Sequence, residues 1–415
     1  MRFSFIHAAD LHIDSPLAGL GLKDETVARR FADAGRRAVE ALIDHTLATG
    51  AAFLVISGDI FDGDWKDVTT GYFFTRALGR LHREGVPTFI VHGNHDAESV
   101  MSKSLPYPDS VHIFSAAQAQ TFVLEQQRVA LHGRSFSSRN ENETDFVTRY
   151  PQRLEGWLNI GVLHTALDGA RGHKSYAPCT VEALRRFGYD YWALGHVHAA
   201  ETVSRDPWIV YPGNLQGRSI RETGPKGAMC VTVEDGRVVA VEHVALDGAR
   251  WAHVHVDVTD CPDEAAVLAR IEAQLGAAHS QADGRPLAAR LSLKGTTPLH
   301  GRLLATCEEM EEEARARGFA YAEDCWVEQI KIMTHAPARS RALAGEADAL
   351  DLDALLRAAA AEPDYAATLA ELTAQIADKL PRGLRDDFAR DETTLAQRAE
   401  AARDRLLGEL TADAS

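Results

Sequence analysis

The chain has 415 residues, of which 45% are hydrophobic and 25% charged, an ordinary composition for a soluble globular protein. At roughly 100–200 residues per domain, this length predicts two or three domains. The formal net charge of −16 argues against a general nucleic-acid binder, which usually carries a basic face. That argument is limited, because bound divalent ions or a local basic strip can coexist with a net acidic chain.

The five cysteines form no C-x-x-C pair, so neither a disulfide framework nor a zinc ribbon is predicted. They indicate thiols in a reducing compartment. The chain opens with a strand-like run rather than a signal peptide, and no apolar stretch approaches the roughly 20 residues of a membrane span. We therefore expect a cytoplasmic protein that does not enter a membrane.

The first 250 residues alternate short apolar runs with helical patterns, which indicates an α/β domain. Strands are predicted at residues 3–8, 53–57, 88–92, 129–132, 160–163 and 191–194. Helices are predicted at 26–49, where apolar residues recur near the 3.6-residue period, and at 68–84. Antiparallel strands at 208–211, 228–233 and 238–244 would close the domain.

The remaining chain predicts two further segments. Residues 251–335 read in the order β-α-β-α-β, with strands at 253–258, 287–293 and 326–333 and helices at 262–277 and 303–316. This order indicates a smaller α+β domain. Residues 336–415 predict a linker and a tail of short amphipathic helices. The tail could pack on its own protein, remain exposed, or dock a partner.

Five predicted strand ends carry side chains that can hold metal ions. Each motif alone is weak, because an H-x-H pair is often two residues on one face of a strand, and a strand-end Asp can cap the next helix. Together they are specific, because ligand groups converge at the carboxyl edge of an α/β sheet. The motifs are Asp10-Leu11-His12, Gly58-Asp59-Ile60-Phe61-Asp62, Gly93-Asn94-His95-Asp96, His164 and Gly195-His196-Val197-His198.

The candidate ligands mix carboxylate, amide oxygen and imidazole, without a thiolate, and exceed what one ion needs. They are Asp10, His12, Asp59, Asn94, His164, His196 and His198. Two divalent ions roughly 3.5–4 Å apart would use the whole set. Mn²⁺ is expected, with Fe²⁺, Zn²⁺ or Mg²⁺ as alternatives. Such a pair can clamp a phosphate and lower the pKa of a bridging water, so the sequence predicts a phosphoesterase.

In this order the motifs resemble the calcineurin-like metallophosphoesterase superfamily, and the resemblance covers most of residues 1–250. It implies a four-layer α-β-β-α sandwich. It also implies that one ion is held by Asp10, His12, Asp59 and His198. Asp59 would bridge to a second ion, completed by Asn94, His164 and His196. His95 would not be a ligand but would face the phosphate and assist the leaving oxygen; its alternative is a structural role beside the site.

A narrower resemblance is to the DNA-repair exonuclease branch, the SbcD-like and YhaO-like proteins. It rests on residues 6–12 and 211–218, and residues 63–67 and 218–224 are most similar to the YhaO-like group. The branch implies a nuclease domain at 1–250, a capping domain at 251–335 and a C-terminal tail at 336–415. It further implies DNA as substrate, an SMC-like coiled-coil ATPase as partner of the tail, and a homodimer. Some members carry a histidine where this chain has Asp62, which puts the break-repair subtype in doubt.

Support for DNA from the residues themselves is modest. Arg218, Arg221 and Lys226 share one predicted loop and Arg134 lies in another, so these cations could follow a phosphate backbone or simply be solvated. Trp65 could stack on an exposed base or be partly buried in its own domain. The predicted function is a two-metal DNA exonuclease or endonuclease. The alternatives are a phosphoesterase of smaller substrates and a DNA-sensing binding subunit of an ATPase complex.

Overall fold

The computed structural model describes residues 1–15, 31, 33–62, 68–98, 105–138, 146–167, 177–337, 355, 358–359, 362–379 and 402–403. The chain divides into two compact units. One comprises Met1–Ala252 with His279–Ala288, and the other comprises His253–Ala278 with Ala289–Ser415. Trp65, most of the segment after His335 and the first residues of the helix predicted at 26–49 lie outside the described residues.

The first sheet of the larger unit has six strands within the described ranges, in the order β12-β11-β1-β2-β3-β4. Strands β1 to β4 run parallel to one another, and β11 pairs antiparallel with both β1 and β12. The C-terminal hairpin of the unit therefore completes the sheet beside its first strand. The strands are β1 (Arg2–Ala8), β2 (Leu54–Ser57), β3 (Thr88–Val91), β4 (Val111–Ile113), β11 (Gly227–Glu234) and β12 (Arg237–Ala245).

The second sheet also has six strands in the described part of the unit. Its central strands β6, β7, β8 and β10 are parallel, and antiparallel strands close each edge. The order is β5-β6-β7-β8-β10-β9. The strands are β5 (Gln120–Leu124), β6 (Val129–Gly133), β7 (Leu158–His164), β8 (Tyr191–Gly195), β9 (Glu201–Arg205) and β10 (Trp208–Tyr211).

The two sheets pack face to face with helices on their outer sides. Phe5, Val55 and Phe89 from the first sheet meet Ile160 and Tyr191 from the second in one apolar cluster. Separate clusters join the first sheet to helices α1 (Ala34–Ala48) and α2 (Val68–Arg83), and the second sheet to α3 (Val181–Arg186). The strands are apolar on both faces because both are covered, as expected of parallel strands. The arrangement is the predicted four-layer sandwich.

The smaller unit contains a three-stranded sheet in the order β13-β14-β15, and its helices bury apolar residues at helical spacing. Its strands are β13 (Arg250–Asp257), β14 (Leu287–Thr296) and β15 (Cys325–His335). Its helices are α4 (Glu264–Ser280), α5 (His300–Ala305), α6 (Cys307–Tyr321) and α7 (Pro363–Lys379). The element order matches the predicted β-α-β-α-β, with the second helix divided at Thr306.

Most predicted elements differ from the observed ones by a few residues at their ends. The sequence did not predict β4, β5 or β9. These strands carry few fully buried residues and lie at sheet edges. The described part of the predicted helix at 26–49 contains α1, which begins at Ala34. None of the described helices is both long and apolar enough to cross a membrane.

Candidate metal centre

The predicted metal ligands lie at one edge of the sandwich. Asp10, Asp59 and Asn94 follow the parallel strands β1, β2 and β3 of the first sheet. His164 ends β7 and His196 follows β8, the two parallel strands at the centre of the second sheet. Because the carboxyl ends of these strands meet at the same edge, ligands separated by as many as 188 positions come together, as the 3.8 Å between His198 Nε2 and Asp10 Oδ1 shows.

Left-handed backbone conformations turn these side chains toward one another. Asp10, His12, Asp59 and His196 have φ angles of 51°, 42°, 53° and 96°, although none is glycine. Such conformations cost roughly 1–3 kcal/mol each, and surrounding structure must hold them. Their concentration at four of the seven predicted ligands marks this strand edge as a functional site.

Three glycines let the strand ends approach His164 closely. A Cβ at Gly58 would lie 2.4 Å from His164 Nδ1, and one at Gly195 would lie 1.9 Å from the carbonyl oxygen of Ser57. A Cβ at Gly93 would lie 2.3 Å from Asp59 Oδ1. Any larger residue at these positions would fill space that the ligands need, so the glycines shape the site by steric means.

The ligand atoms form two clusters. Asp10, His12 and His198 offer atoms that all lie within 4.8 Å of one another, and so do Asp59, His164 and His196. In the second cluster, His164 Nε2 lies 3.3 Å from Asp59 Oδ2 and 3.1 Å from Asn94 Oδ1.

Asp59 connects the two clusters. Its Oδ2 lies 3.3 Å from His164 Nε2 on one side and 4.0 Å from His12 Nε2 on the other. Two atoms that bind the same ion at about 2.1 Å lie roughly 3–3.5 Å apart. The two separations observed at Asp59 are close to that range. The arrangement suits a carboxylate shared between two ions.

Hydrogen bonds on the outer side of each histidine select the nitrogen that faces the clusters. His164 Nδ1 donates to the carbonyl oxygen of Ser57 at 2.9 Å, which requires its proton to be on Nδ1. His12 Nδ1 bonds Asp62 Oδ1 and His198 Nδ1 bonds Glu222 Oε1, both at 2.7 Å. Each histidine therefore turns Nε2 inward, and such outer partners orient metal-binding imidazoles and raise their basicity.

The electrostatics of the second cluster favour bound positive charge. Burial would raise the pKa of Asp59, but the charge and hydrogen bond of His164 hold that pKa well below its ordinary value. Burial lowers the pKa of His164, yet the carboxylates of Asp59 and Asp10 together raise it to about 9. Buried carboxylates that draw a proton onto imidazole would equally attract a divalent cation.

The residues present fit a metal pair. The Nε2 atom of His12 is fully buried and makes no hydrogen bond with any described residue, although it points at Asp10, Asp59 and His198 ligand atoms. A buried imidazole nitrogen without a hydrogen-bond partner destabilises the fold, unless a group outside the polypeptide, such as a metal ion, binds it. The donor set of carboxylate, amide and imidazole suits divalent ions and offers no thiolate.

His95 lies beside the clusters. Its ring contacts the His12 ring edge-on at 5.1 Å between centroids, and its backbone N–H donates to Asp59 Oδ1 at 3.0 Å. The side chain is 29% exposed, whereas those of His12 and His164 are nearly inaccessible. His95 is therefore the most exposed histidine of this group, ahead of His198 at 20%.

Asp62 lies between two imidazoles and a guanidinium group. Its Oδ1 accepts from His12 Nδ1 and lies 3.5 Å from His95 Nδ1 and 3.6 Å from Arg218 Nη1. Burial would raise the pKa of Asp62, but the hydrogen bond and charge of His12 leave it below its ordinary value. Asp62 is thus a carboxylate that joins a predicted ligand to a predicted acid.

The residues predicted to contact DNA have different environments. Arg218 is in the site, with Nη2 3.3 Å from His198 Nδ1 and 3.5 Å from Glu222 Oε1, and Arg221 is exposed nearby. Arg134 is only 6% exposed, bonds the carbonyl of Ala116 and lies over the Phe146 ring. Lys226 is 8% exposed and its Nζ donates to the carbonyl oxygen of His198.

Burial leaves Arg134 and Lys226 little surface for a DNA backbone, and their role as DNA contacts stays a prediction. Burial also lowers the pKa of Lys226. Its bond to His198 holds the backbone of a candidate ligand in place. Trp65, the remaining predicted DNA contact, lies outside the described residues.

The sequence indicated no role for three residues that organise the site. Asp96 is buried and accepts from the backbone N–H groups of Ile60, Phe61 and Gly93, which ties two ligand loops together. Ser57 supplies the carbonyl that orients His164, and Glu222 bonds His198, Asn214 and the backbone of Arg218. Asp96 is the fourth residue of the motif Gly93-Asn94-His95-Asp96, which gave it a signal. Glu222 falls within residues 218–224, but their similarity to the YhaO-like group did not indicate its contact with His198.

Two sheets flanked by helices, with mixed oxygen and imidazole donors at their shared edge, define a metallophosphoesterase. The model of the calcineurin-like phosphoesterase family matches residues 3–200. The model of the middle domain of the metallophosphoesterase YhaO matches residues 251–335. The chain belongs to the calcineurin-like metallophosphoesterases, in the YhaO-like branch, a family of hydrolases that use divalent metal ions.

Individual relatives agree with this assignment. The chain is 34% identical over 299 residues to the uncharacterized metallophosphoesterase YhaO of Bacillus subtilis (strain 168), covering 71% of this chain and 72% of that protein. It is 25% identical over 270 residues to the DNA double-strand break repair protein Mre11 of Methanopyrus kandleri, covering 59% and 57%. The Mre11 of Aeropyrum pernix is 24% identical over 275 residues, covering 61% and 64%. The chain thus spans less than two thirds of either Mre11.

Proposed function

We propose that the chain is a metal-dependent DNA nuclease, an exonuclease or endonuclease that hydrolyses phosphodiester bonds during DNA repair or processing. The observation that carries this proposal is the pair of ligand clusters with His95 exposed beside them. The named role of the two Mre11 relatives in double-strand break repair supports DNA as the substrate. The motifs themselves encode the reaction rather than the substrate.

The proposed ion sites follow the clusters. Asp10, His12 and His198 hold one ion, and Asn94, His164 and His196 hold the other, with Asp59 shared between them. Mn²⁺ suits this mixture of donors, and Fe²⁺, Zn²⁺ and Mg²⁺ are the alternatives. When bound, two such ions would neutralise the phosphate oxygens and supply a nucleophile at neutral pH.

The protein's own contribution centres on His95. Its partly exposed imidazole can donate a proton to the departing oxygen of the scissile bond, while the backbone bond to Asp59 fixes its place relative to the clusters. Asp62, whose Oδ1 lies 3.5 Å from His95 Nδ1, orients the ring.

Arg218 and Arg221 are the proposed contacts to the DNA backbone. The guanidinium of Arg218 lies between Asp62 and Glu222, so it is positioned before the substrate arrives. A planar guanidinium can form two parallel bonds to a phosphate, which makes arginine suited to this task. Trp65 stays a prediction as a stacking residue.

The first experiment is a gel assay with end-labelled single- and double-stranded DNA in Mn²⁺, beside a chromogenic phosphodiester. Asp59→Ala is the control without a functioning metal centre. We expect the wild type to cut DNA and the control to cut neither substrate, and the position of the label then gives the polarity. Cleavage of the chromogenic ester alone would reject DNA and favour a smaller substrate, while leaving the metal site intact.

A second experiment tests His95. The substitution His95→Asn is expected to lower the cleavage rate roughly 10²–10⁴-fold, the range for a positioned acid. His82→Asn is the matched control, because His82 is exposed on α2 and bonds Ser110 away from the site. Unchanged rates for His95→Asn would exclude the acid role, and unchanged biological function in that variant would favour a DNA-sensing binding subunit.

The same proposal includes partners. We propose that α7 docks an SMC-like coiled-coil ATPase, since Tyr365, Leu369, Leu372 and Ile376 fall on one stripe of the helix and three of the four are exposed. A helix with such a stripe fits an apolar groove or a coiled coil. A homodimer is proposed from the resemblance alone, and sedimentation of the purified chain would test it.

A further inference from the structure

A second site lies in the larger unit, away from the metal centre. A cavity of about 450 Å³ is lined by four arginines, Arg153, Arg185, Arg205 and Arg237. Trp208 contributes an apolar wall. In a chain with a net charge of −16, four guanidinium groups around one cavity are a local reversal of charge.

The cavity is at the opposite edge of the sheets from the metal ligands. It is lined by Tyr189 and Asp190, just before β8, and by Trp208, the first residue of β10. His196 follows the other end of β8, which is Tyr191–Gly195. At about 3.3 Å per residue, the strand separates the two sites by roughly 15 Å. The cavity is therefore not an extension of the candidate metal centre.

The protein neutralises only part of the positive charge of the cavity. Arg153 Nε lies 3.5 Å from Glu155 Oε1 and Arg185 Nη1 lies 3.9 Å from Glu182 Oε1, whereas the other two arginines keep their charge. Neither Arg205 nor Arg237 forms an ion pair with any described residue. Two carboxylates, Asp190 and Asp206, line the same cavity, but neither lies within ion-pair distance of a described cation. Arginines that gather without carboxylate partners repel one another, and an anion would relieve that repulsion.

The arginines are also held in place. Arg153 Nη1 donates to the carbonyl oxygen of Gly188 at 2.8 Å, and Arg185 Nη2 donates to Ser204 Oγ at 3.4 Å. The guanidinium of Arg205 lies over the Trp208 ring, 5.8 Å from its centroid. Each contact uses part of a guanidinium and leaves other N–H donors for a ligand, so the cavity is ordered before an anion binds.

We propose that this cavity binds the phosphate group of a small molecule, either free phosphate or a mononucleotide. Guanidinium forks match the oxygens of phosphate, which carries up to two charges and can accept bonds from several arginines at once. The volume is within the range of small-ligand sites, roughly 300–1,000 Å³, and the Trp208 wall offers apolar contact to an organic part.

The test is calorimetric titration of the metal-loaded full chain with inorganic phosphate and, separately, with AMP at low salt. The double variant R205Q/R237Q removes the two unneutralised charges, and R76Q is its matched control, an exposed arginine of α2 with no ion pair to a described residue. Because the metal centre can itself take phosphate, wild type should show two binding events. Hydrolysis of a chromogenic phosphodiester is measured alongside as a check on that centre.

We expect R205Q/R237Q to lose one event or weaken it at least tenfold, while R76Q binds like wild type and hydrolysis is unchanged in both. Equal binding of phosphate and AMP would identify free phosphate as sufficient, and tighter binding of AMP would identify a phosphate ester; both support the site. A double variant that binds both probes like wild type would overturn it. So would a wild type in which only the metal centre takes up phosphate.

Discussion

Asp62 contacts three functional side chains at once, so its removal is informative at the scale of single residues. Without the carboxylate, His12 loses the partner that directs its Nε2 toward Asp10 and Asp59. Loss of such an outer partner typically weakens metal binding 10–100-fold. We expect this loss for Asp62→Ala, measured as Mn²⁺ bound per chain in metal-buffered solution.

The matched control for that prediction is Asp44→Ala, an exposed carboxylate of α1 that pairs with Arg80 far from the site. It should bind Mn²⁺ like wild type. If Asp62→Ala also kept wild-type affinity, the orientation of His12 would not depend on Asp62.

The close packing around Gly93 predicts that its substitution acts by steric overlap alone. In Gly93→Ala the new methyl group would overlap Asp59 Oδ1, the Asp59 backbone nitrogen and His164 Cε1, at 2.3, 2.9 and 2.9 Å. Relief requires the loop or the shared carboxylate to move, so hydrolysis should fall at least tenfold. The control Gly79→Ala, whose nearest neighbour is the end of Arg83 at 3.8 Å, should be as active as wild type in the chromogenic assay.

At this scale the sequence named the seven candidate ligands, which stay a prediction, but it did not indicate their supporting contacts. The seven ligand candidates are recognisable because each follows a strand in a short motif, and the structure brings them to one edge. No local pattern predicts the contacts of Glu222 and Ser57 with the site, since their partners lie 24 and 107 positions away. Arg134 and Lys226 were read as loop cations because burial cannot be inferred from a charged residue in a short loop.

Among the elements, β1, β2 and β8 share an unusual polar contact inside the sandwich. His7 is fully buried between the sheets, where its ring nitrogens bond the Tyr191 hydroxyl, the Ser57 hydroxyl and the carbonyl of Leu194. Burial lowers its pKa to about 3, against the ordinary 6.5. The folded chain therefore keeps His7 neutral while the unfolded chain takes up a proton below pH 6.5.

This difference predicts a loss of stability in mild acid. Because the folded-state pKa is lowered, the contribution is intact above pH about 6.5 and falls as the pH drops toward 3. Between pH 7.5 and pH 5, His7 should account for a decrease of roughly 2 kcal/mol in the free energy of unfolding. Urea unfolding of wild type and His7→Gln at both pH values measures it, and identical pH dependence in the two proteins would contradict the assignment.

Elements at the sheet edges were the least predictable. The central strands β2, β3 and β8 are short, mostly apolar runs because both faces are buried, and the sequence predicts them clearly. In contrast, β9 reads Glu-Thr-Val-Ser-Arg and is half exposed, so its pattern does not differ from that of a loop. The pairing of β11 with β1 joins strands that are far apart in the sequence, and no local pattern predicts it.

For the molecule as a whole, the proposed docking role of the α7 stripe predicts that partner binding can be lost without loss of hydrolysis. In the full chain, Leu372→Ser with Ile376→Ser should leave phosphodiester hydrolysis unchanged and abolish binding to a purified SMC-like ATPase from the same cell. The control Ala367→Ser with Ala374→Ser alters exposed positions on the opposite side of the same helix. If both variants bound the ATPase equally well, the stripe would not be the docking surface.

The left-handed conformations at Asp10, His12, Asp59 and His196 have a consequence for the lifetime of the protein in a cell. Strained ligands and neighbouring carboxylates make the site costly to maintain by itself, so bound ions should add directly to the stability of the folded chain. A chain starved of divalent ions would open more often and meet proteases more often. Its abundance would then depend on the supply of metal as well as on how much of it is synthesised.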